Sequence, residues 1–304
     1  MKIGVDIGDT MGPATLDTMV QRAQRARELG LHSVSMGQYV GWDILTALAL
    51  VGREVPDLEL GTAIVPTYPR HPIALASQAL SVQAATGNRL QLGLGPSHRA
   101  IIEAWYGYDY DRPARHMREY LEALKPLLRG EQADYQGETL RAQGKLTVLE
   151  AAPPPVLVSA LGPVMLRLAG ELADGTVTAW TGPRAIAGHI APRLNEAAAA
   201  ANRPSPRIVA GVLVNVTDDP TSARQSVAER FGAADALPSY RAVMDIEGVG
   251  SGADLLLAGD EAEVTAGLRA YQEAGATEFV AFFAGPEEER PRTEALLAQL
   301  AADG

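Results

Sequence analysis

The residues of this chain that could do chemistry are few, and their pattern points to binding before bond-making. The most informative stretch runs from Pro155 to Trp180. Val156 to Ala160 is a continuous apolar run, the signature of a strand buried on both faces. Leu161-Gly162-Pro163 is a tight turn, and Val164 to Leu172 reads as a short helix with Leu166, Ala169 and Leu172 at helical spacing. Proline suits the first helical turn, where its missing N–H costs nothing. The turn therefore offers unpaired backbone N–H groups at a helix N-terminus, a favourable place for a phosphate. The plainer alternative is that Gly162 only lets the chain turn, since most such turns bind nothing.

Groups that move protons are sparse. At the positions that follow strand-like runs there is one acid, Asp9, and one histidine, His98. Histidine titrates near neutrality and suits proton transfer, but His98 could equally be a hydrogen-bonding contact. There is no G-x-S-x-G, no H-E-x-x-H and no carboxylate cluster with metal spacing. His32, His71, His116 and His189 are scattered and suggest no metal site. The absence of cysteine excludes disulfides, thiolate zinc sites and a cysteine nucleophile. Gly93-Leu94-Gly95 begins a dinucleotide motif, but His98 takes the third glycine's place. So few polar groups imply that a bound cofactor carries the reaction and the protein orients it. Ile64, Val65 and Trp180 would suit a tricyclic ring, or are ordinary core side chains.

The elements that must position these groups alternate regularly. Strands are expected at Lys2–Ile7, Ser33–Met36, Leu58–Val65, Arg89–Leu94, Val156–Ala160, Thr176–Trp180, Ile208–Val216 and Thr277–Phe283, with helices between them. Eight such units over 304 residues predict a closed (β/α)8 TIM barrel in a single domain, 1–304, with an open doubly wound sheet as the alternative. Two irregular stretches, near 130–150 and 233–257, are too long for ordinary connections and are expected to cover a barrel mouth. The site should lie at the carboxyl ends of the strands. A net charge of −11 argues against nucleic acid as a partner, though not against one anionic cofactor held by backbone amides. No apolar run approaches the ~20 residues of a membrane helix, so a soluble, cytoplasmic protein is expected.

At this point the residues resemble a known family. The segment Leu60-Gly61-Thr62-Ala63-Ile64-Val65-Pro66-Thr67-Tyr68-Pro69-Arg70-His71-Pro72, the run Asn88 to Gly95, Arg118-Glu119-Tyr120-Leu121, and the stretch with Ala160-Leu161-Gly162-Pro163 and Ala169 to Gly175 are similar to the bacterial luciferase-like superfamily. Within it, the chain most resembles the enzymes that use the deazaflavin coenzyme F420. The resemblance covers nearly the whole chain and implies an F420-dependent reductase or dehydrogenase acting on a small molecule. An FMN-dependent monooxygenase of the same fold and a non-catalytic flavin or deazaflavin carrier remain the alternatives.

The resemblance also implies roles. A non-proline cis peptide is expected at Ala63-Ile64, where Ile64 would back the central ring. Gly95 and His98 would lie by the cofactor, Ala160, Leu161, Gly162 and Pro163 would take its phosphate, and Trp180 would wall the site. Trp42 is retained near the substrate, and Gln38 stands where sugar-phosphate dehydrogenases of the family place histidine. His98 replaces a glutamate, and Thr181-Gly182-Pro183 stands where a lysine is expected. These departures speak against sugar-phosphate oxidation and leave His98, Trp42 and Gln38 as the catalytic candidates, with no metal. By the same resemblance a homodimer is expected, through the helices after strands two and three.

Overall fold

The computed structural model describes residues 1–38 and 41–303. Eight parallel strands form its centre: β1 (Lys2–Asp6), β2 (Ser33–Met36), β3 (Glu59–Thr62), β4 (Leu90–Gly95), β5 (Val156–Ser159), β6 (Gly175–Ala179), β7 (Arg207–Val216) and β8 (Glu278–Phe283). Each pairs with its sequence neighbours, and β8 pairs with β1, so the sheet closes into a (β/α)8 barrel. Closure removes both sheet edges, which fits strands that are apolar on the face toward the helices.

The helices start and stop where side chains satisfy their ends. Thr15 caps α1 (Leu16–Glu28) by accepting from the Thr18 N–H, and Asp43 caps α2 (Ile44–Glu54) by accepting from Thr46. Next come α3 (Pro72–Thr86), α4 (Arg99–Tyr106), α5 (Pro113–Leu128) and α6 (Pro163–Leu172). The stretch from Pro183 to Ala200 is helical but holds a π turn at Ile186–Ile190, which alanine richness did not announce. α7 (Pro220–Phe231), α8 (Pro238–Glu247), α9 (Glu261–Glu273) and α10 (Arg290–Ala302) complete the outer layer.

The inside of the barrel is stratified. At its amino-terminal end, Arg207 donates to Glu278 and Glu59, closing the floor with ion pairs. Above them Leu157, Val177, Val209 and Val280 pack with Ala63, Ile64 and Phe282. The larger core lies between strands and helices, built from residues such as Ile3, Val34, Leu60 and Leu92.

Three expectations need correction. The third strand is not continuous to Val65: it breaks after Thr62 and resumes at Val65–Pro66, although the cis peptide expected between Ala63 and Ile64 is there. The 130–150 stretch is not wholly irregular: it holds a hairpin that joins Ala133–Gln136 to Arg141–Gly144. It lies on α5 rather than over the mouth, because the buried Glu119 carboxylate accepts from the Glu138 N–H (3.1 Å) and Thr139 N–H (2.8 Å) in its turn. The 233–257 stretch is not irregular: it contains α8, which begins at Pro238 and ends at the left-handed Gly248.

Candidate functional site

The break in β3 is held open by its neighbours. Ala63 N–H donates to the Met36 carbonyl at 2.7 Å, Gln38 N–H to the Ile64 carbonyl at 3.4 Å, and Thr67 N–H to the Gly95 carbonyl at 3.0 Å. Thr62 replaces a ladder contact with its hydroxyl, which donates to the Gly93 carbonyl and accepts from the Gly93 N–H, both at 2.8 Å. A side chain at Gly95 would press on Ile64 and Ser159, so glycine permits the close packing here. Ala63 and Ile64 thus form a small apolar shelf in the carboxyl-end mouth.

A cavity opens beside that shelf, lined by Ala63, Ala179, Trp180, Gly211, Leu213, Phe231 and Phe282 with Thr10 and Met11. Trp180 ends β6 in the left-handed region, with φ 55°, an uncommon place for a bulky side chain. Its ring is gripped by Phe231 (5.7 Å between centroids) and Tyr240 (6.4 Å), and Gly252 packs too closely to carry a side chain. His98 is half-buried and meets the same Tyr240 edge-on at 5.2 Å. Burial lowers the His98 pKa and favours the neutral ring.

The structure therefore joins two of the three expected substrate contacts, His98 and Trp180, through Tyr240. Trp42 stands apart, its indole N–H donating to the Ala14 carbonyl at 2.9 Å. Of the loop that carries it, Tyr39 and Val40 lie outside the described residues. Tyr240 was hidden because α8 did not show in the sequence pattern. It places the 233–257 segment over the mouth.

The Leu161-Gly162-Pro163 turn lies at the rim as expected. Gly162 is the N-cap of α6, no side chain caps that helix, and the space beside Gly162 is open. His189 Nε2 holds the Leu161 carbonyl at 2.7 Å. The next strand ends in a similar turn, Thr181-Gly182-Pro183, but there the buried Glu247 carboxylate accepts from the Ala185 N–H at 2.8 Å. Of two neighbouring Gly-Pro helix starts, one is filled by the chain's own anion and one is open. A small-residue shelf, a cavity beside it and an uncapped helix start on the same rim fit a planar ring with a phosphate-bearing tail.

One further residue escaped the sequence reading. Asp6 faces the barrel interior, in register with Ser35, which is itself in register with Gly61, one inward layer below Ala63. Among the described residues neither Asp6 Oδ1 nor Ser35 Oγ has a hydrogen-bond partner. Burial pushes the Asp6 pKa up to about 7 against the opposing pull of Arg22. The available signal was an acid inside an otherwise apolar strand, Ile3-Gly4-Val5-Asp6-Ile7. No group of three or more acids, histidines or cysteines that could hold a metal occurs among the described residues.

Comparison with known proteins decides the family. The model for "Luciferase-like monooxygenase" matches residues 2–278. The chain belongs to this family. A 5,10-methylenetetrahydromethanopterin reductase of Methanolobus tindarius is 30% identical over 156 residues, 51% of this chain and 48% of the relative. The chain thus spans about half the length of that relative. A putative coenzyme F420-dependent oxidoreductase of Mycobacterium tuberculosis is 29% identical over 244 residues, 73% of this chain and 69% of the relative. A solved monooxygenase of Streptomyces bottropensis superposes with a TM-score of 0.80 at 22% identity, covering 100% of both chains, which shows the shared fold. No helix among the described residues is long and apolar enough to cross a membrane.

Proposed function

We propose that this luciferase-like protein is an oxidoreductase that uses F420 to transfer a hydride to or from a small organic molecule. The observation that carries it is the pairing of an open, uncapped helix start at Gly162 with the small-residue shelf at Ala63-Ile64. The similarity to the putative F420-dependent oxidoreductase favours the deazaflavin over FMN.

In this reading Ala63 and Ile64 back the ring, Gly95 leaves room for it, and the Ala160–Pro163 turn takes the phosphate. Bound F420 would supply hydride chemistry, because carbon replaces the flavin's reactive nitrogen and reacts poorly with oxygen. The protein's part is orientation and proton handling. Burial raises the Asp6 pKa to about 7, so about half of the molecules hold its proton at neutral pH, and it is the group we assign as proton source. His98, favoured in its neutral form, contacts substrate with Tyr240 and Trp180. A homodimer through α2 and α3 belongs to the same proposal: α3 carries no charged residue, and Leu50 of α2 is 43% exposed.

Titration with F420 and FMN separately, followed by fluorescence, tests the cofactor. Tight FMN binding without deazaflavin binding would overturn the choice and support the monooxygenase reading. Binding of reduced F420 with no substrate-dependent reoxidation across a broad panel would leave a carrier.

A further inference from the structure

One cation stands at the rim of the cavity without an anion of its own. Arg230 lies in the last turn of α7 and is exposed, yet its guanidinium touches two residues of the cavity wall. Its carbon sits 5.1 Å from the centre of the Phe231 ring, and Nη2 reaches the Thr10 carbonyl at 3.5 Å. Phe231 and Thr10 both line the cavity. An arginine near a helix end is ordinary, because the C-terminus attracts positive charge. This one also reaches across to the loop after β1, 220 positions away in the chain. That bond is long and weak, and a guanidinium has only donors to offer, so most of its capacity is unused. Among the described residues no carboxylate pairs with it. The acids nearest in sequence to the two sides of this contact are engaged elsewhere. Asp235 accepts from the Gly252 N–H at 2.9 Å, and Asp9 turns its carboxylate against Gly41, where a side chain would collide with it. Thr10 adds a second donor: its hydroxyl is buried and has no partner among the described residues, a deficit that a ligand would relieve.

We propose that Thr10 and Arg230 form a carboxylate seat at the outer end of the cavity, and that the substrate is a cyclic apolar acid. The inference rests on the oxidoreductase reading for the claim that the occupant is the substrate. The walls suit such a molecule. Trp180, Phe231 and Phe282 present rings, and Leu213 and Leu255 fill between them. Ala63 of the shelf, packed in the barrel's inner cluster, marks the inner end. A flat body along these walls has its reacting end at the shelf and its charge at Thr10 and Arg230. The reverse orientation is opposed, because at the β6 turn the charge would meet the Glu247 carboxylate, which already holds the Ala185 N–H. Phe231 keeps the guanidinium in place without neutralising it. The net charge of −11 gives no long-range attraction for an acid, so the selection is local.

The first test needs no cofactor. Calorimetry on the full chain compares cinnamate with cinnamamide, which has the same flat shape and no charge. The acid should bind ~10-fold more tightly, and added salt should erode the difference. Arg230→Gln should bring the acid down to the level of the amide, and Arg230→Lys should restore part of the preference. Thr10→Val should weaken both probes, since a hydroxyl serves any acceptor. Arg230 is exposed, so its variants should fold, and circular dichroism checks this. The second test uses the F420-loaded chain with cyclic apolar acids and their methyl esters. In kcat/KM the acids should lead by ~10-fold, and Arg230→Gln should remove that lead. Equal binding of the two probes, binding of neither, a preference that survives Arg230→Gln, or esters turned over as well as acids would each overturn the inference. Failure of the native chain to bind deazaflavin would instead refute the function proposed above, and the calorimetry would still decide whether the seat exists.

Discussion

Asp6→Asn offers the sharpest test of the barrel interior, because it removes a titration and almost no volume. In the folded chain the Asp6 carboxyl keeps its proton until about pH 7; in the unfolded chain it loses it near 3.8. Between those values the folded state binds the extra proton, so this group's contribution to stability falls as pH rises and is gone above pH 7. From pH 5 to pH 7 the fall approaches two units at about 1.36 kcal/mol each, or roughly 2–3 kcal/mol. Asparagine does not titrate and should not show it. Urea unfolding of both proteins at pH 5, 6, 7 and 8 gives the difference directly. The advantage of the native chain over Asp6→Asn should shrink by roughly 2–3 kcal/mol across that range, most of it below pH 7. His98 and His116, both shifted downward by burial, titrate in both proteins and cancel in the difference. Parallel curves would mean that Asp6 is ionised in the folded state. The carboxylate would then need a partner, and Arg22, which donates to the Ile7 and Gly8 carbonyls, would have to turn inward.

Three shorter predictions follow from the same geometry. If Asp6 supplies the proton, Asp6→Asn should also lose ~100-fold in substrate-dependent F420H2 oxidation at pH 7, whereas His98→Ala should lose less than ~10-fold, both by steady-state kinetics. Gly162→Asp would supply α6 with the capping carboxylate it lacks: thermal unfolding should show a gain of about 0.5–1 kcal/mol, while F420 affinity falls by more than ~10-fold. Glu247→Ala should cost about 1.5–3 kcal/mol and speed amide exchange across 238–257, since a buried charge-assisted bond to the Ala185 N–H is lost; unchanged exchange would show that the segment is held by Trp180 packing alone.

The barrel was legible because its strands and helices carry their periodicity locally. Ser33–Met36 and Pro220–Phe231 lie where the pattern puts them. What escaped depends on partners far away in sequence. α8 buries Val243, Met244 and Glu247 and sets Tyr240 against Trp180 and His98, partners that come from other strands. The hairpin turn was fixed by Glu119, which precedes it by about 20 residues. Asp6 looked like an incidental acid until register placed it inside the barrel beside an unpaired serine. Arg70 gave no sign in the sequence of its partner, and only the fold shows its side chain reaching back to Gln38.

The two Gly-Pro turns on β5 and β6 explain why sequence motifs alone gave so little about binding there. Both leave N–H groups at a helix start, and both would attract an anion. At Gly182 that demand is met by Glu247, which arrives from α8 and is buried in place. At Gly162 no side chain among the described residues meets it. The difference is tertiary and has a consequence for substrate choice. A phosphate-bearing substrate approaching β6 would face a fixed carboxylate, while a neutral one would meet Tyr240 and Trp180. Replacing Glu247 by glutamine keeps an acceptor but removes the charge. If β6 is where anionic substrates are refused, Glu247→Gln should lower the KM for an anionic carbonyl substrate and leave that of its neutral analogue unchanged.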